Sequence, residues 1–290
     1  MPARVAVTGA NGYVGSCIAR SLESQGLGVR RLQRSGEGDF VSHFALGRPI
    51  DPAAFDGVSA LVHCAYDFNA ADWIAIERTN VTGSLDLFDA ARSAGVKTIV
   101  FISSMSAFEG CRSMYGRAKL EVEQKSAGLG VHSVRPGLVY GEEAGGMIGA
   151  LSKLLGLPIV TPLVGSGSQV LYLVHEADLG RMIGEVCTGE KRLGGKAAVA
   201  ANSRPFPFKS ILEVLARRDG SKKVFLPVPW QLEWLALKSA ELIGLRMRLR
   251  SDSLISLINQ DPHPDFSQSA QFSFRDFENF IIKESRRNVA

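Results

Sequence analysis

Near its start the chain reads Val5-Ala6-Val7-Thr8-Gly9-Ala10-Asn11-Gly12-Tyr13-Val14-Gly15. The apolar run at 5–7 predicts a strand, and a helical pattern follows the third glycine at 16–23. Between them we expect Gly9 to make a sharp turn, Gly12 to face phosphates, and Gly15 to let the helix pack on the strand. Backbone N–H groups and the positive end of the helix dipole would meet a pyrophosphate there. The stretch therefore predicts a strand, a dinucleotide-binding turn and a helix.

Apolar runs that alternate with helical patterns predict the rest of this unit. Extended segments are expected at 28–34, 41–46, 60–65, 98–102, 131–136, 172–175 and 197–200. Helical spacing of apolar residues covers 73–94, and a helix is expected to open at Glu176 with Asp178 in its first turn. Such alternation is typical of α/β proteins with a doubly wound parallel sheet. Ligands of these sheets bind at the carboxyl ends of strands, and Ser103-Ser104 follows one of them.

Tyr115 and Lys119 lie four residues apart, so on a helix both side chains project from one face. A free tyrosine titrates near about 10, and a nearby ammonium lowers that pKa because it favours the phenolate. The pair is therefore a candidate for proton exchange with a substrate hydroxyl or carbonyl group. The alternative is an exposed helical tyrosine and lysine without a chemical role.

With the glycine turn, the stretch Tyr115-Gly116-Arg117-Ala118-Lys119 resembles the short-chain dehydrogenase/reductase superfamily. Asn80-Val81-Thr82-Gly83 and Arg135-Pro136-Gly137-Leu138-Val139-Tyr140-Gly141 resemble its extended branch, which includes nucleotide-sugar epimerases, dehydratases and reductases. The resemblance implies a Rossmann-type doubly wound sheet that binds a nicotinamide dinucleotide. It extends well to about residue 200 and only loosely beyond.

The resemblance implies a third catalytic group, which we assign to Ser104. Its hydroxyl would donate a hydrogen bond to the substrate oxygen as charge develops there, and Ser103 and Ser106 are the alternatives. Lys119 would also hydrogen-bond the nicotinamide ribose. Tyr115 follows Ser104 by 11 residues, a shorter separation than is usual in the extended branch. A loop that lines the substrate site in that branch is therefore mostly missing.

The same resemblance implies the cofactor contacts. They are expected at Gly9, Asn11, Gly12, Tyr13, Val14, Gly15, Arg34, Ala65, Asn80, Tyr115, Lys119, Pro136 and Leu138. Pro136-Gly137-Leu138 would lie against the nicotinamide carboxamide, unless a strand simply ends in a turn there. Asn80 either positions the cofactor or its water, or it caps a kink in the helix.

Gln33-Arg34 bears on the choice of cofactor. Gln33 follows Gly15 by 18 residues, where an acidic side chain normally holds the adenosine ribose of NAD. A carboxylate would repel a 2′-phosphate, whereas the guanidinium of Arg34 can pair with it. The sequence therefore favours NADP over NAD, with NAD and a merely solvated arginine as the alternatives.

The remaining segments predict a smaller, discontinuous substrate lobe. We expect a dinucleotide-binding domain at 1–140 and 172–202, and the lobe at 141–171 and 203–290. Helices of the lobe are expected at 208–218, 230–243 and 277–287. The second is aromatic and amphipathic, which favours packing in the core over a partner or membrane surface.

Arginines alternate in Arg246-Met247-Arg248-Leu249-Arg250, and on an extended stretch such side chains share a face that could clamp a diphosphate. Arg250 and Asp252 also loosely resemble an Arg-x-x-Asp feature of nucleotide-sugar epimerases, one residue short. The alternative is a solvated basic edge. Ser106 and Arg250 are thus the candidate substrate contacts.

Composition excludes several classes of function. The net charge of +4 is mild and the basic residues are scattered, so nothing indicates a nucleic-acid footprint. The start leaves no room for a signal peptide, and no apolar run is long enough to span a bilayer. We therefore expect a cytoplasmic protein without a transmembrane segment.

Cysteine and histidine give no metal or disulfide pattern. Cys17, Cys64, Cys111 and Cys187 are far apart and are expected as reduced thiols. His63 is interpreted as a core or strand-end histidine, since no second ligand lies at a suitable spacing. No metal site is expected.

These observations predict an NAD(P)-dependent oxidoreductase or epimerase that acts at a carbinol or carbonyl carbon. A nucleotide-activated sugar is the leading substrate class. Met105-Ser106 lacks the acid that a dehydratase usually carries beside the serine, which disfavours dehydration. An NADPH-dependent reductase of a small carbonyl compound is the alternative if the shortened loop leaves an apolar pocket. A non-catalytic NADPH-binding sensor or assembly subunit is the third hypothesis, and a homodimer is compatible with all three.

Overall fold

A computed structural model of the chain has a seven-stranded parallel sheet at its centre. The structure describes residues 4–36, 38, 40–70, 72–141, 145–156, 160–218, 220, 222–245 and 249–279. The strands are β1 (Arg4–Thr8), β2 (Gly28–Gln33), β3 (Val41–His43), β4 (Val58–His63), β5 (Thr98–Ile102), β6 (Val131–Pro136), β7 (Leu138–Tyr140), β8 (Val160–Val164), β9 (Val170–Leu171), β10 (Leu173–His175), β11 (Ala198–Ala200), β12 (Phe206–Pro207) and β13 (Val224–Val228).

The order of strands in the sheet is β3-β2-β1-β4-β5-β6-β11. The chain runs outward from β1 to β3 and then crosses to β4 on the other side of β1. This reversal opens a crevice at the carboxyl ends of β1 and β4, the place where doubly wound sheets bind ligands. The predicted Rossmann-type parallel sheet is confirmed.

The helices are α1 (Tyr13–Ser24), α2 (Trp73–Ile76), α3 (Gly83–Ser93), α4 (Met114–Ser126), α5 (Gly146–Leu155), α6 (Glu176–Cys187), α7 (Phe208–Arg218), α8 (Trp230–Leu242) and α9 (Ser251–Ile258). The helical pattern predicted at 73–94 contains a π-helical stretch, Glu77–Thr82, between α2 and α3. At the start of α3, Gly83 allows the helix to pack closely on the backbone of Gly47, because a Cβ on Gly83 would lie 2.6 Å from that backbone.

Apolar side chains cover both faces of the sheet. One buried cluster packs between the sheet, α1 and α6, and a second packs between the sheet, α3 and α4. A third cluster joins α5, α7 and α9 with the aromatic rings of Tyr140 and Phe277. It draws on both segments of the predicted lobe, whose boundaries stay a prediction. No helix in the described ranges has the length and apolar character needed to span a bilayer.

Two predicted segments differ from the structure, and a third is not described by it. The third strand ends at His43 instead of residue 46, because the chain turns toward Gly47, whose φ is +74°. The expected core packing of 230–243 is only partly met. Trp230, Trp234 and Leu237 pack on the third cluster, but no residue of α8 is fully buried. Beyond residue 279, the helix expected at 277–287 lies outside the described residues.

Gly15→Ala is expected to lower the free energy of unfolding by about 1–3 kcal/mol, the usual cost of forcing an atom into a packed site. The added Cβ would lie 2.3 Å from the carbonyl oxygen of Gly9. Urea denaturation followed by circular dichroism measures the change. Gly128→Ala is the control, because a Cβ there meets nothing within 4 Å. Equal stability of the two variants would contradict the packing of the turn.

Candidate active site

The glycine turn lies against the end of β4. Gly9 has a φ of +64°, and a Cβ on it would lie 2.9 Å from the backbone of Ala65. The Gly12 N–H donates to the Gly9 carbonyl oxygen at 2.8 Å, and α1 begins directly afterwards. The first turn of α1 has no acidic side chain to occupy its N–H groups. The positive end of this helix therefore faces the crevice, as an anion site requires.

A buried chain of hydrogen bonds fixes the neighbouring strand ends. Thr8 Oγ1 accepts from the N–H groups of Cys64 at 3.1 Å and Ala65 at 3.2 Å, and it lies 2.7 Å from His63 Nδ1. Its one proton must then go to Nδ1, so His63 carries its proton on Nε2. Nε2 lies 2.9 Å from the hydroxyl of Ser84.

His63 is a core histidine in this structure, as the sequence interpretation expects. Its side chain is fully buried, and burial holds its pKa well below the ordinary value, so the ring is neutral. Across the described ranges, no group of histidine, cysteine and acidic side chains is arranged to hold a metal ion.

Asn80 holds the loop that follows β4. Its Oδ1 accepts from the Asp67 N–H at 2.7 Å, and its Nδ2 donates to the Asp67 carbonyl oxygen at 3.1 Å. The side chain lies in the π-helical stretch and is buried. These contacts orient the loop that carries Ala65 and Tyr66. A direct contact of Asn80 with a cofactor stays a prediction.

Ser104, Tyr115 and Lys119 come together at the carboxyl end of β5. All three residues line one cavity, and the Ser104 hydroxyl is close enough to the Tyr115 phenol to influence its pKa as a hydrogen-bond donor. Lys119 Nζ donates to the Ile102 carbonyl oxygen at 2.7 Å and lies 5.9 Å from the centre of the Tyr115 ring. Ser113 caps the helix that carries the pair, since its Oγ accepts from the Gly116 N–H at 3.0 Å. The spacing of tyrosine and lysine on one face of α4 is thus realised.

Burial displaces the pKa of both titratable groups of this trio. It raises the pKa of Tyr115 to about 12, although the hydrogen bond from Ser104 acts in the opposite direction. It lowers the pKa of Lys119 to about 8. The phenol is therefore protonated near neutral pH, and the lysine is poised close to its titration point.

Asp252 caps the helix that carries Tyr115. Its two carboxylate oxygens accept from the N–H groups of Met114 at 2.8 Å and Tyr115 at 3.0 Å. Asn259 Oδ1 adds a third contact, to the Arg112 N–H at 2.8 Å. The sequence analysis singles out Asp252 for a different reason, the resemblance to an epimerase feature. In the structure this carboxylate joins α9 to α4.

An aromatic wall that the sequence analysis did not find stands beside Tyr115. Tyr66 lies edge-on to Tyr115 with ring centres 4.9 Å apart, and Phe68 stacks on Tyr115 with centres 5.9 Å apart. Arg250 donates from Nη1 to the Phe68 carbonyl oxygen. The position of Tyr66 and Phe68 directly after a buried parallel strand is the signal that could have identified them.

One cavity of about 1060 Å³ contains nearly all of the predicted site. Every predicted site residue except Asn80 lines it: Gly9, Asn11, Gly12, Tyr13, Val14, Gly15, Arg34, Ala65, Ser104, Ser106, Tyr115, Lys119, Pro136, Leu138 and Arg250. Arg246 and Arg248 of the expected diphosphate clamp lie outside the described residues. Their clamp therefore stays a prediction.

Apart from Tyr115 and the residues near the glycine turn, the side chains that line this cavity are largely apolar. They comprise Met105, Met147, Leu151, Val164, Leu171, Leu237, Leu249 and Leu257. The polar side chains in this part of the cavity belong to α8, to α9 and to the residues next to α9 in the sequence. Among the described residues of this part, Arg250 is the one basic side chain. Burial raises the pKa of Glu233, which also lines the cavity.

Two buried polar atoms at strand ends fit a bound dinucleotide. Gln33 Oε1 and Ser103 Oγ have no hydrogen-bond partner within the described ranges, and both residues line the cavity. An unpaired buried acceptor or hydroxyl costs free energy unless a ligand or water satisfies it. With the open N-terminus of α1, these atoms are groups that a bound dinucleotide could contact at the carboxyl ends of β2 and β5.

Comparison with protein-family models decides the class of this chain. Residues 5–195 match the model of the NAD dependent epimerase/dehydratase family. The chain belongs to this family. Its glycine turn, the strands β2 to β6 and the tyrosine–lysine helix lie within the match.

Relatives and a solved structure agree with the family. The chain is 25% identical over 266 residues to the uncharacterized protein y4nG of Sinorhizobium fredii, a match of 82% of this chain and 66% of y4nG. It is 28% identical over 194 residues to ceramide reductase of Caulobacter vibrioides, a match of 63% of this chain and 60% of that protein. The matches thus span less than two thirds of the length of either relative.

MoeE5, solved in complex with UDP-glucose and NAD, has a similar fold. Its TM-score is 0.71 at 18% sequence identity, over 99% of this chain and 100% of MoeE5. At this identity the likeness establishes the shared fold alone.

Asp252→Ala is expected to lower the free energy of unfolding by about 2 kcal/mol, since two N–H groups at a helix start lose a charged acceptor. Asp252→Asn should lose less, because one amide oxygen can still accept one of them. Thermal and urea unfolding measure both. Asp86→Ala, on the exposed surface of α3, is the matched control for charge. If Asp252→Ala were as stable as that control, the cap would carry no stability.

Proposed function

We propose that this epimerase/dehydratase family member is an NADPH-dependent reductase of a carbonyl compound with an apolar body. The observation that carries the proposal is the set of apolar side chains that line the same cavity as Tyr115, among them Met147, Leu151 and Leu257. From the sequence, this reductase is the alternative to a nucleotide-sugar enzyme if the pocket is apolar. The apolar side chains that line the cavity support this alternative.

The choice of NADPH is supported by Gln33 and Arg34 at the end of β2. Both line the cavity, and neither can repel a 2′-phosphate as a carboxylate would. Arg34 is exposed and has no acidic partner among the described residues, so its guanidinium is available to a phosphate. Asn11 Nδ2 donates to the Ser35 carbonyl oxygen at 3.2 Å and ties this segment to the glycine turn.

Arg34→Ala is expected to weaken NADPH binding about tenfold or more and to change NADH binding less than twofold, because it removes a charge-assisted contact with the 2′-phosphate. Fluorescence titration with each dinucleotide measures both constants. Arg48→Ala is the control, since Arg48 is exposed and lies outside the cavity. Equal losses of NADPH and NADH affinity would contradict the assigned preference.

In the proposed reduction, Ser104, Tyr115 and Lys119 have different roles. When bound, the reduced nicotinamide supplies a hydride to the carbonyl carbon. Tyr115 donates its phenolic proton to the carbonyl oxygen, which becomes a hydroxyl. Lys119, as an ammonium, stabilises the phenolate left on Tyr115. Ser104 donates a hydrogen bond to the same oxygen while negative charge develops on it.

A nucleotide-activated sugar is the second candidate substrate. Arg250, which lines the cavity, is the observation that favours it, because a guanidinium can bind a diphosphate in two parallel contacts. MoeE5, whose structure holds UDP-glucose, shares the fold. Arg250 is, however, the one basic group on this side of the cavity among the described residues, and Ser253, Ser256 and Gln260 are the polar side chains near it that could hydrogen-bond a sugar.

A substrate panel with NADPH tests the function. We expect oxidation of NADPH, followed by its absorbance, with a medium-chain ketone such as 2-octanone and little with UDP-glucose. Tyr115→Phe should lower kcat by a factor of about 100 or more through loss of the proton donor. Tyr140→Phe is the control, because that phenol lies outside the cavity. Interconversion of UDP-sugars without ketone reduction would support the second candidate and contradict the first.

The dependence of kcat/KM on pH tests the roles proposed for Tyr115 and Lys119. Tyr115 has a pKa near about 12 and keeps its proton through the neutral range, whereas Lys119 loses its charge above about pH 8. The kcat/KM for ketone reduction should therefore be level below pH 8 and fall above it. Tight NADPH binding with no turnover at any pH would indicate a non-catalytic sensor instead.

A further inference from the structure

Exposed apolar side chains in the described part of this protein are most numerous on α8 and the residues just after it. Of the twelve large apolar side chains that are exposed in the described ranges, eight belong to β8, β13, α8 and the residues just after α8. The α8 face consists of Leu232, Leu235, Leu242, Ile243 and Leu245. Leu242 is 79% exposed and Ile243 is 78% exposed. Soluble surfaces rarely expose such residues together without a binding role.

The opposite side of the same helix is a wall of the cavity. Glu233, Ala236 and Leu237 line it, and they alternate along the helix with the exposed Leu232 and Leu235. Ala236 is both exposed and part of the cavity wall, so the α8 face borders the opening of the cavity. A surface bound to α8 would therefore lie next to the entrance of the site.

Charge identifies the kind of surface. Residues 222–250 contain six basic and two acidic side chains, a net charge of +4 that equals the net charge of the whole chain. The rest of the sequence is thus balanced. Arg250 belongs to the cavity, where it donates to the Phe68 carbonyl oxygen, so five basic residues of this stretch are left to meet lipid headgroups. An apolar helix face within such a stretch complements an anionic lipid bilayer, where leucines enter the boundary of the acyl chains and basic groups meet the headgroups. A second copy of the chain would bring two such positive stretches together.

We propose that the α8 face docks on a bilayer that contains anionic lipids. α8 lies in the plane of the interface and does not cross the membrane. Apolar substrates then pass between the lipid and the cavity along Ala236 and Leu237, a consequence that rests on the proposed reductase function. The docking itself needs no reaction and no cofactor.

Vesicle sedimentation with the full chain tests the docking. We expect binding to vesicles of phosphatidylcholine and phosphatidylglycerol in a two-to-one ratio, weaker binding to phosphatidylcholine alone, and loss of binding at high salt. Leu232→Gln with Leu235→Gln should lower the partition coefficient about tenfold or more, because two apolar side chains no longer enter the lipid. Ile74→Gln is the matched control, since Ile74 is 77% exposed on α2, away from the α8 face.

Two results would overturn the proposal. One is that the unmodified chain does not sediment with the anionic vesicles, or that the double variant sediments with them equally well. The other is a dimer in solution that the double variant dissociates, with no vesicle binding by either form. Turnover of a water-soluble ketone is measured separately without vesicles. A failure of the reductase function then appears as absent turnover with intact vesicle binding, and a failure of docking appears as the reverse.

Discussion

The geometry of the site depends on one buried hydroxyl, that of Thr8. It accepts two backbone N–H groups from the end of β4 and donates to a neutral histidine, so all of its hydrogen-bonding capacity is used. The next members of the chain are Ser84, which donates to the Asn80 carbonyl oxygen at 2.5 Å, and Asn80 itself, which holds the loop after β4. Because each group is buried, a missing partner would leave an unpaired polar atom in a dry interior. These hydrogen bonds therefore fix the positions of the ends of β1 and β4, which border the crevice.

A second constraint comes from the lobe. Asp252 and Asn259 accept the N–H groups at the start of α4, while Glu241 accepts from the backbone and hydroxyl of Ser251 at 2.8 Å each. These contacts run from α8 through α9 to the helix that carries the tyrosine and lysine. A shift of α8 or α9 would therefore also move the start of the helix that carries Tyr115, the proposed proton donor. The helices α8 and α9, which line the cavity, are thus connected by hydrogen bonds to α4, which carries Tyr115 and Lys119.

The sequence allowed much of this to be predicted, and the successes share a cause. Glycine spacing, the tyrosine–lysine interval and apolar strands are local patterns, and local geometry decides what they become. The role of Asp252 could not be predicted, because it depends on a contact between residues more than a hundred positions apart. Tyr66 was missed because an aromatic residue in a loop carries no periodic signal. The exposure of α8 was misjudged because amphipathic spacing does not reveal what covers a helix.

The third apolar cluster has a consequence for the order in which the protein forms during synthesis. The sheet is complete once β11 has left the ribosome, whereas this cluster joins Tyr140 to Phe277, whose ring centres lie 5.0 Å apart. Contacts of such long range form late, after the loop between them has closed. The nascent chain then has a finished nucleotide crevice but an open far wall. During that interval the apolar side chains of this cluster are exposed to water and prone to aggregate.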